Sequence, residues 1–238
     1  MKNNQNSLPN KEIDIVFTLY SKGEYKKAVN SIKELNNKYP NQPLLFNLIG
    51  ACYKELGELA GAAKMLEIAT SLSPNYAEAH FNLGVVYQDL DQKELALGSY
   101  KKAIEITPNY PSAHNNLGNT LGELGELEAS IESLEWAIAY KHDFAEAHNN
   151  LGILFMNLGQ LEEARDSFNK AIKADSNYAF ALNNLGIVYN RLNIFDESEN
   201  CFQRAIGIDA DYFDAFCNYA NLLKDLNKLD EALANYEL

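Results

Sequence analysis

The sequence is poor in the residues that most often carry chemistry. It has three cysteines, Cys52, Cys201 and Cys217, in 238 residues and no CxxC pair, which excludes a disulfide framework and a cysteine zinc site. Lys and Arg number 20 against 33 Asp and Glu, a formal charge of -13. Nucleic-acid binding draws most of its affinity from bases that neutralise phosphates, so that partner class is disfavoured, and an acidic membrane surface with it. No stretch approaches the ~18 consecutive apolar residues of a membrane span. The N-terminus, MKNNQNSLPNKEIDIVF, lacks the apolar region of a secretory signal. HExxH, a nucleophile elbow and a phosphate-binding loop are missing. The glycines of NLGNTLGELG (116–125) match such a loop only in composition, with no strand ahead of them. The expectation is a soluble, cytoplasmic chain in a reducing compartment, with no catalytic residues, no cofactor and no metal.

What the sequence does have is a period. AHNNLG at 113–118 returns at 147–152, thirty-four residues later. Rows of thirty-four divide the chain without insertion into 9–42, 43–76, 77–110, 111–144, 145–178, 179–212 and a shortened 213–238, after a flexible segment 1–8. Each row carries two apolar stripes at helical spacing. In the third, Ala79, Leu83, Val86 and Leu90 follow the i, i+4, i+7, i+11 pattern of one buried helix face. Ala96, Tyr100 and Ala103 mark the inner face of a second helix, and Gly84 removes a side chain where another helix must come close. Small residues form two columns, Ala28, Ala62, Ala96, Ser130, Ala164, Ser198 and Ala232, then Ala69, Ala103, Ala137, Ala171 and Ala205. Between the two helices stand Gly23, Gly57, Asp91, Gly125, Gly159, Asn193 and Asn227, the residue types that tolerate the left-handed end of a helix. Pro40, Pro74 and Pro108 stop the second helix in the early rows, whereas His142, Ser176 and Ala210 replace that proline later and leave those helix ends less sharply set. Asn75, Asn109, Asp143, Asn177 and Asp211 are expected as N-caps, with capping-box spacing at Asn75 to Glu78 and Asp143 to Glu146.

Rows such as AEAHFNLGVVYQDLDQKELALGSYKKAIEITPN (77–109) resemble the tetratricopeptide repeat (TPR), with His80, Leu83, Gly84, Tyr87, Ala96, Tyr100, Ala103 and Pro108 in its signature columns. The resemblance covers nearly all of residues 9–238. The first row departs from it at Glu12, Ile15 and Val16, as a degenerate or capping repeat would. The resemblance implies an all-α, right-handed α-solenoid of stacked antiparallel helix pairs whose first helices line a concave groove.

His80, His114 and His148 share one column. Zinc ligands must converge at about 2.0–2.1 Å, whereas equivalent positions on packed helices lie ~8–10 Å apart, so these residues read as half-buried rings of the scaffold. If row positions 3, 7, 10 and 14 of the first helix make the core, positions 2, 5, 6, 9 and 13 form a second stripe that faces the groove. Position 6 carries Asn82, Asn116, Asn150, Asn184 and Asn218; position 5 carries Asn47, Asn115, Asn149 and Asn183. Amides offer both donor and acceptor to a peptide backbone, so the column is a candidate for holding an extended segment with little sequence selectivity. It is similar to the asparagine ladder in the repeat domain of O-linked N-acetylglucosamine transferase. Equally, the amides satisfy polar groups between repeats, and both readings stand at this point. Scattered groove bases, Lys54, Arg191 and Lys224, do not make a clamp for a terminal carboxylate. Ile13, Phe17, Leu44, Leu48, Phe81 and Val85 turn the stripe apolar near the N-terminus, where it either receives an amphipathic helix or a second copy of the array, or covers the first repeat.

The seventh row stops at NYEL, within its second helix, leaving Leu229, Ala232, Leu233 and Tyr236 short of a cover. The expectation is that the chain continues into a longer protein or meets another chain there. Three functions follow: an adaptor that binds a peptide or partner segment in its groove, a substrate-recruiting arm ahead of a transferase or oxygenase domain of the bacterial kind, and a scaffold that self-assembles into a homo-oligomer through uncovered ends.

Overall fold

The left-handed column decides where each helix pair turns. The computed structural model describes residues 8–236, with side chains as far as Ala232. All seven column residues have positive φ, from 56° at Asp91 to 81° at Gly125. Each closes a helix in the same way: the Gly57 N–H bonds to the Lys54 carbonyl at 2.9 Å and the Glu58 N–H to the Tyr53 carbonyl at 2.8 Å. These bonds satisfy carbonyls that a helix end leaves open. Every described regular element is an α-helix: α1 (Asn10–Ser21), α2 (Tyr25–Lys38), α3 (Pro43–Glu55), α4 (Leu59–Leu72), α5 (Ala77–Asp89), α6 (Lys93–Ile106), α7 (Pro111–Glu123), α8 (Leu127–Tyr140), α9 (Ala145–Asn157), α10 (Leu161–Ala174), α11 (Ala179–Arg191), α12 (Phe195–Ile208), α13 (Phe213–Asp225) and α14 (Leu229–Tyr236). No described helix is long and apolar enough to cross a membrane. The expected segment 1–8 lies outside the described residues save for Leu8.

The chain forms two compact units, through Thr120 and from Leu121, with the boundary inside α7. In the first unit the antiparallel pairs α1/α2, α3/α4 and α5/α6 stack through α2 on α3 and α4 on α5. In the second, α9/α10, α11/α12 and α13/α14 stack through α8 on α9, α10 on α11 and α12 on α13. First helices of neighbouring repeats also touch directly, α3 with α5, α9 with α11 and α11 with α13. Their exposed sides therefore make one continuous face within each unit.

Both small-residue columns are buried, from 0% exposure at Ala28, Ala62 and Ala96 to 4% at Ala232. A Cβ on Gly84 would sit 2.6 Å from the Tyr100 ring, and on Gly152 or Gly186 would sit 2.7 Å from Phe168 or Phe202. The two helices of a repeat approach that closely because the first lacks a side chain where the second has its largest.

Two local expectations need correction. The N-caps are Tyr76, Phe144, Tyr178 and Tyr212, one residue beyond the Asn or Asp, and none of them makes a side-chain cap. A turn precedes each helix instead, closed by the Tyr76 N–H on the Ser73 carbonyl at 3.1 Å and its counterparts, so neither capping box forms. The later second helices also end in the same register as the early ones, at Tyr140, Ala174 and Ile208. Two of those rows put Asp where the turn begins: the carboxylates of Asp175 and Asp209 accept the N–H of Asn177 and Asp211 at 3.0 Å. An Asp turn does there what proline does earlier.

Candidate functional site

The histidines fasten each first helix to the turn before it. The Nε2–H of His80, His114 and His148 donates to the carbonyl of residue 74, 108 or 142 at 2.9, 2.8 and 3.0 Å. The rings of His114 and His148 are buried, that of His80 half-buried. Burial holds His148 below the usual imidazole range, the His142 carbonyl working against it and Lys170 with it.

The asparagine stripe divides in two. Asn47, Asn115, Asn149 and Asn183 are only 1–4% exposed, because position 5 of the helix turns toward the next repeat. Asn82, Asn116, Asn150, Asn184 and Asn218 are half-buried and border the open face. One set holds the other across the repeat boundary: Asn82 Nδ2 donates to Asn47 Oδ1 at 2.9 Å, Asn184 to Asn149 at 3.1 Å and Asn218 to Asn183 at 3.0 Å. In α7 the pair meets within one helix, with Asn115 Nδ2 donating to Asn116 Oδ1 at 3.3 Å.

A column that sequence reading passed over completes the arrangement. Tyr76, Tyr110, Phe144, Tyr178 and Tyr212 occupy the N-cap position of successive rows, and the thirty-four-residue period alone would have found them. Asn47 Nδ2 donates to the Tyr76 hydroxyl at 3.2 Å and to Glu78 at 3.3 Å. Asn183 lies close enough to the Tyr212 hydroxyl to act on it. Burial, with the charges of Glu78 and of Asp214, pushes Tyr76 and Tyr212 up to about 12. Both therefore stay neutral.

The remaining candidates are structurally occupied. Ile13 and Leu48 belong to the core between the first two repeats, while Phe17 stays 48% exposed. Tyr20, Ala51, Lys54, Phe81 and Val85 help line a cavity of about 180 Å³ on the first unit's face. Lys54 pairs with Glu55 at 3.3 Å, and Arg191 donates to the Met156 carbonyl at 3.5 Å. Burial pushes the thiols of Cys52 and Cys201 up to about 11, which makes both poor nucleophiles. Leu229 is 58% exposed and Ala232 buried; the side chains of Leu233 and Tyr236 lie outside the described residues. Among the described residues no cluster of His, Cys, Asp and Glu is placed to hold a metal ion.

Family models described as tetratricopeptide or TPR repeats match residues 50–91 and 92–125, 115–179, and 181–212 and 213–238. The chain belongs to the tetratricopeptide repeat family. No curated protein matches it in sequence. Among solved structures it is similar to MamA, at 25% identity and a TM-score of 0.62, over 68% of this chain and 95% of that one. Pseudomonas aeruginosa pilF is 19% identical with a TM-score of 0.73, over 81% of this chain and 88% of the other. YrrB, described as a TPR protein with an unusual peptide-binding site, is 21% identical with a TM-score of 0.60, over 77% and 95%. Those last two likenesses concern the fold alone. This TPR chain is a protein-interaction scaffold, of a family built for holding partners.

Proposed function

We propose that the chain is an adaptor that grips the backbone of an extended partner segment through Asn82, Asn116, Asn150, Asn184 and Asn218, with Asn115, Asn149 and Asn183 acting behind them. The observation that carries this reading is the bond from one asparagine to the next. Asn184 and Asn218 each spend one N–H on a buried acceptor, which fixes the amide plane. The carbonyl oxygen and the second N–H of each then remain for a ligand. An amide already oriented loses less freedom on binding. Five to ten such bonds at ~1 kcal/mol each, against an association cost of ~4 kcal/mol or more, leave at most ~6 kcal/mol, an affinity of tens of micromolar at best. The peptide-binding site described for the similarly folded YrrB supports the class of ligand.

The test uses immobilised peptides of varied sequence and compares the parent chain with the Asn116→Ala, Asn150→Ala, Asn184→Ala triple variant. Capture should fall by at least about tenfold, ~1.4 kcal/mol, while the melting temperature changes little. Unchanged capture, or a collapse in melting that accounts for the loss, would leave the asparagines a purely structural role.

A further inference from the structure

In the second unit, one edge of the face carries aromatic side chains that the repeat does not require. Phe180, at position 2 of α11, is 53% exposed, and Phe213, at position 1 of α13, is 67% exposed. Elsewhere position 2 holds Asn10, Leu44, Glu78, Ser112, Glu146 and Asp214, and position 1 holds proline or alanine. Phe180 interrupts a column that is polar from Glu78 to Glu146 and again at Asp214, and about half of its surface meets water. The Phe180 ring lies 6.1 Å from Tyr178 and 4.9 Å from Tyr212, so the three form a continuous strip. That strip adjoins the amide ladder: Tyr212 lies beside Asn183, which accepts from Asn218 at 3.0 Å.

We propose that the strip Tyr178, Phe180 and Tyr212, with the Asn184 and Asn218 amides beside it, docks a proline-rich, basic extended segment. The inference rests on the adaptor reading and names the partner's chemistry. A polyproline II segment repeats every three residues over ~9 Å, comparable with the two ring-to-ring steps of the strip, so prolines one turn apart lie on it together. Such a segment has no internal hydrogen bonds and its prolines bring no N–H, so its carbonyls need donors. The amide N–H groups of the ladder supply them. The segment is stiff before it binds and loses little freedom. Its charge follows from the surroundings: Glu146 and Asp175 act on Tyr178, and Asp214 and Asp209 act on Tyr212. All four carboxylates are exposed, in a chain of net charge -13. Lys or Arg between the prolines meets carboxylates and ring faces alike.

Fluorescence anisotropy with the whole 238-residue chain tests this. The probes are a labelled peptide of repeated Pro-Pro-Arg and one of repeated Gly-Ser-Arg, matched in length and charge. The proline peptide should bind at least about tenfold more tightly. Phe180→Ser, at an exposed site, should remove that advantage and weaken Gly-Ser-Arg binding far less than it weakens binding of the proline peptide. Asn184→Ala with Asn218→Ala should weaken both. Equal binding of the two peptides, or a Phe180→Ser chain that keeps the preference, overturns the proposal. If the asparagine variant then still weakens both peptides, the adaptor reading stands without it. Proline preference with neither peptide weakened by the asparagine variant upholds the strip and removes the ladder from the adaptor reading. Light scattering supplies the last arm: a mass that rises with concentration and ceases to do so in Phe180→Ser gives the strip to a second copy of the chain and overturns the proposal.

Discussion

The two compact units use the same repeat and differ most at one position of it. In the second, α9, α11 and α13 are joined by two amide links in succession, Asn149 with Asn184 and Asn183 with Asn218. In the first, the link between α3 and α5 is made by Asn47 and Asn82, but α5 then presents Phe81 where an asparagine would pass the chain on. Phe81 packs 5.0 Å from the Tyr110 ring and 6.0 Å from Tyr100. Asn116, lacking an amide acceptor on α5, donates to the Tyr100 hydroxyl at 3.4 Å. A link therefore needs two residues thirty-five apart, and a ring at one end replaces a hydrogen-bonded relay with an aromatic cluster. The first unit gives up continuity of the amides and gains apolar packing.

The strongest way to separate the units acts on their glycines. Gly84→Ala and Gly152→Ala each push a Cβ into a buried ring, at a cost of about 1–3 kcal/mol or more. Phe168, equally buried, has no hydroxyl to tether its ring. Tyr100 is pinned by its hydroxyl on Gln88 at 2.9 Å, so urea denaturation should show the larger loss for Gly84→Ala. Equal losses would mean that the hydroxyl does not restrain the ring.

Next in size is the cost of removing an asparagine from either position of a link. Asn47→Ala leaves Tyr76, Glu78 and Asn82 without the partner they share, and should lower stability by about 1–3 kcal/mol. Asn218→Ala removes a half-buried donor from a single link and should cost less, since water replaces part of what is lost. Urea midpoints decide the order. The reverse ranking would put the energetic weight on the open face rather than behind it.

This division between position 5 and position 6 was the part of the site that sequence did not disclose. The repeat period located both columns, and the left-handed turns and buried alanines followed from residue type alone. Helical spacing, however, assigns Asn115 and Asn116 to one broad stripe, because adjacent residues differ by ~100° around the axis whichever of them a neighbour covers. Only the approach of the next repeat decides that Asn115 is buried and Asn116 is not. The N-caps escaped for a related reason. Asn and Asp favour both caps and turns, and here the turn takes them, two residues before the helix starts.

The relay can also be rebuilt. Phe81→Asn gives the first unit the pattern of the second, losing two ring contacts worth ~0.5–1.5 kcal/mol each, so the variant should be less stable. A double-mutant cycle with Asn116→Ala isolates what is gained. The cycle should show a coupling of ~1 kcal/mol between the introduced amide and Asn116 that is not available to a phenylalanine. Zero coupling would mean that register between the repeats, rather than the residue at position 81, sets the break.

The smallest expected effect belongs to the second unit and depends on pH. His148 is buried against the turn before α9, and burial chiefly holds it below its ordinary value. The unfolded chain therefore takes up that proton more readily than the folded one. Its contribution to stability is present above the unfolded value of ~6.5 and is lost as the pH falls through it toward the folded value. Leu182 fills the equivalent place in α11 and is fully buried, so His148→Leu is a replacement that the repeat already accommodates. Between about pH 7.5 and 5 the melting temperature of the variant should fall less than that of the parent, carboxylates contributing equally to both. Parallel curves would show that the imidazole protonates without cost, and that the turn opens readily enough to hydrate it.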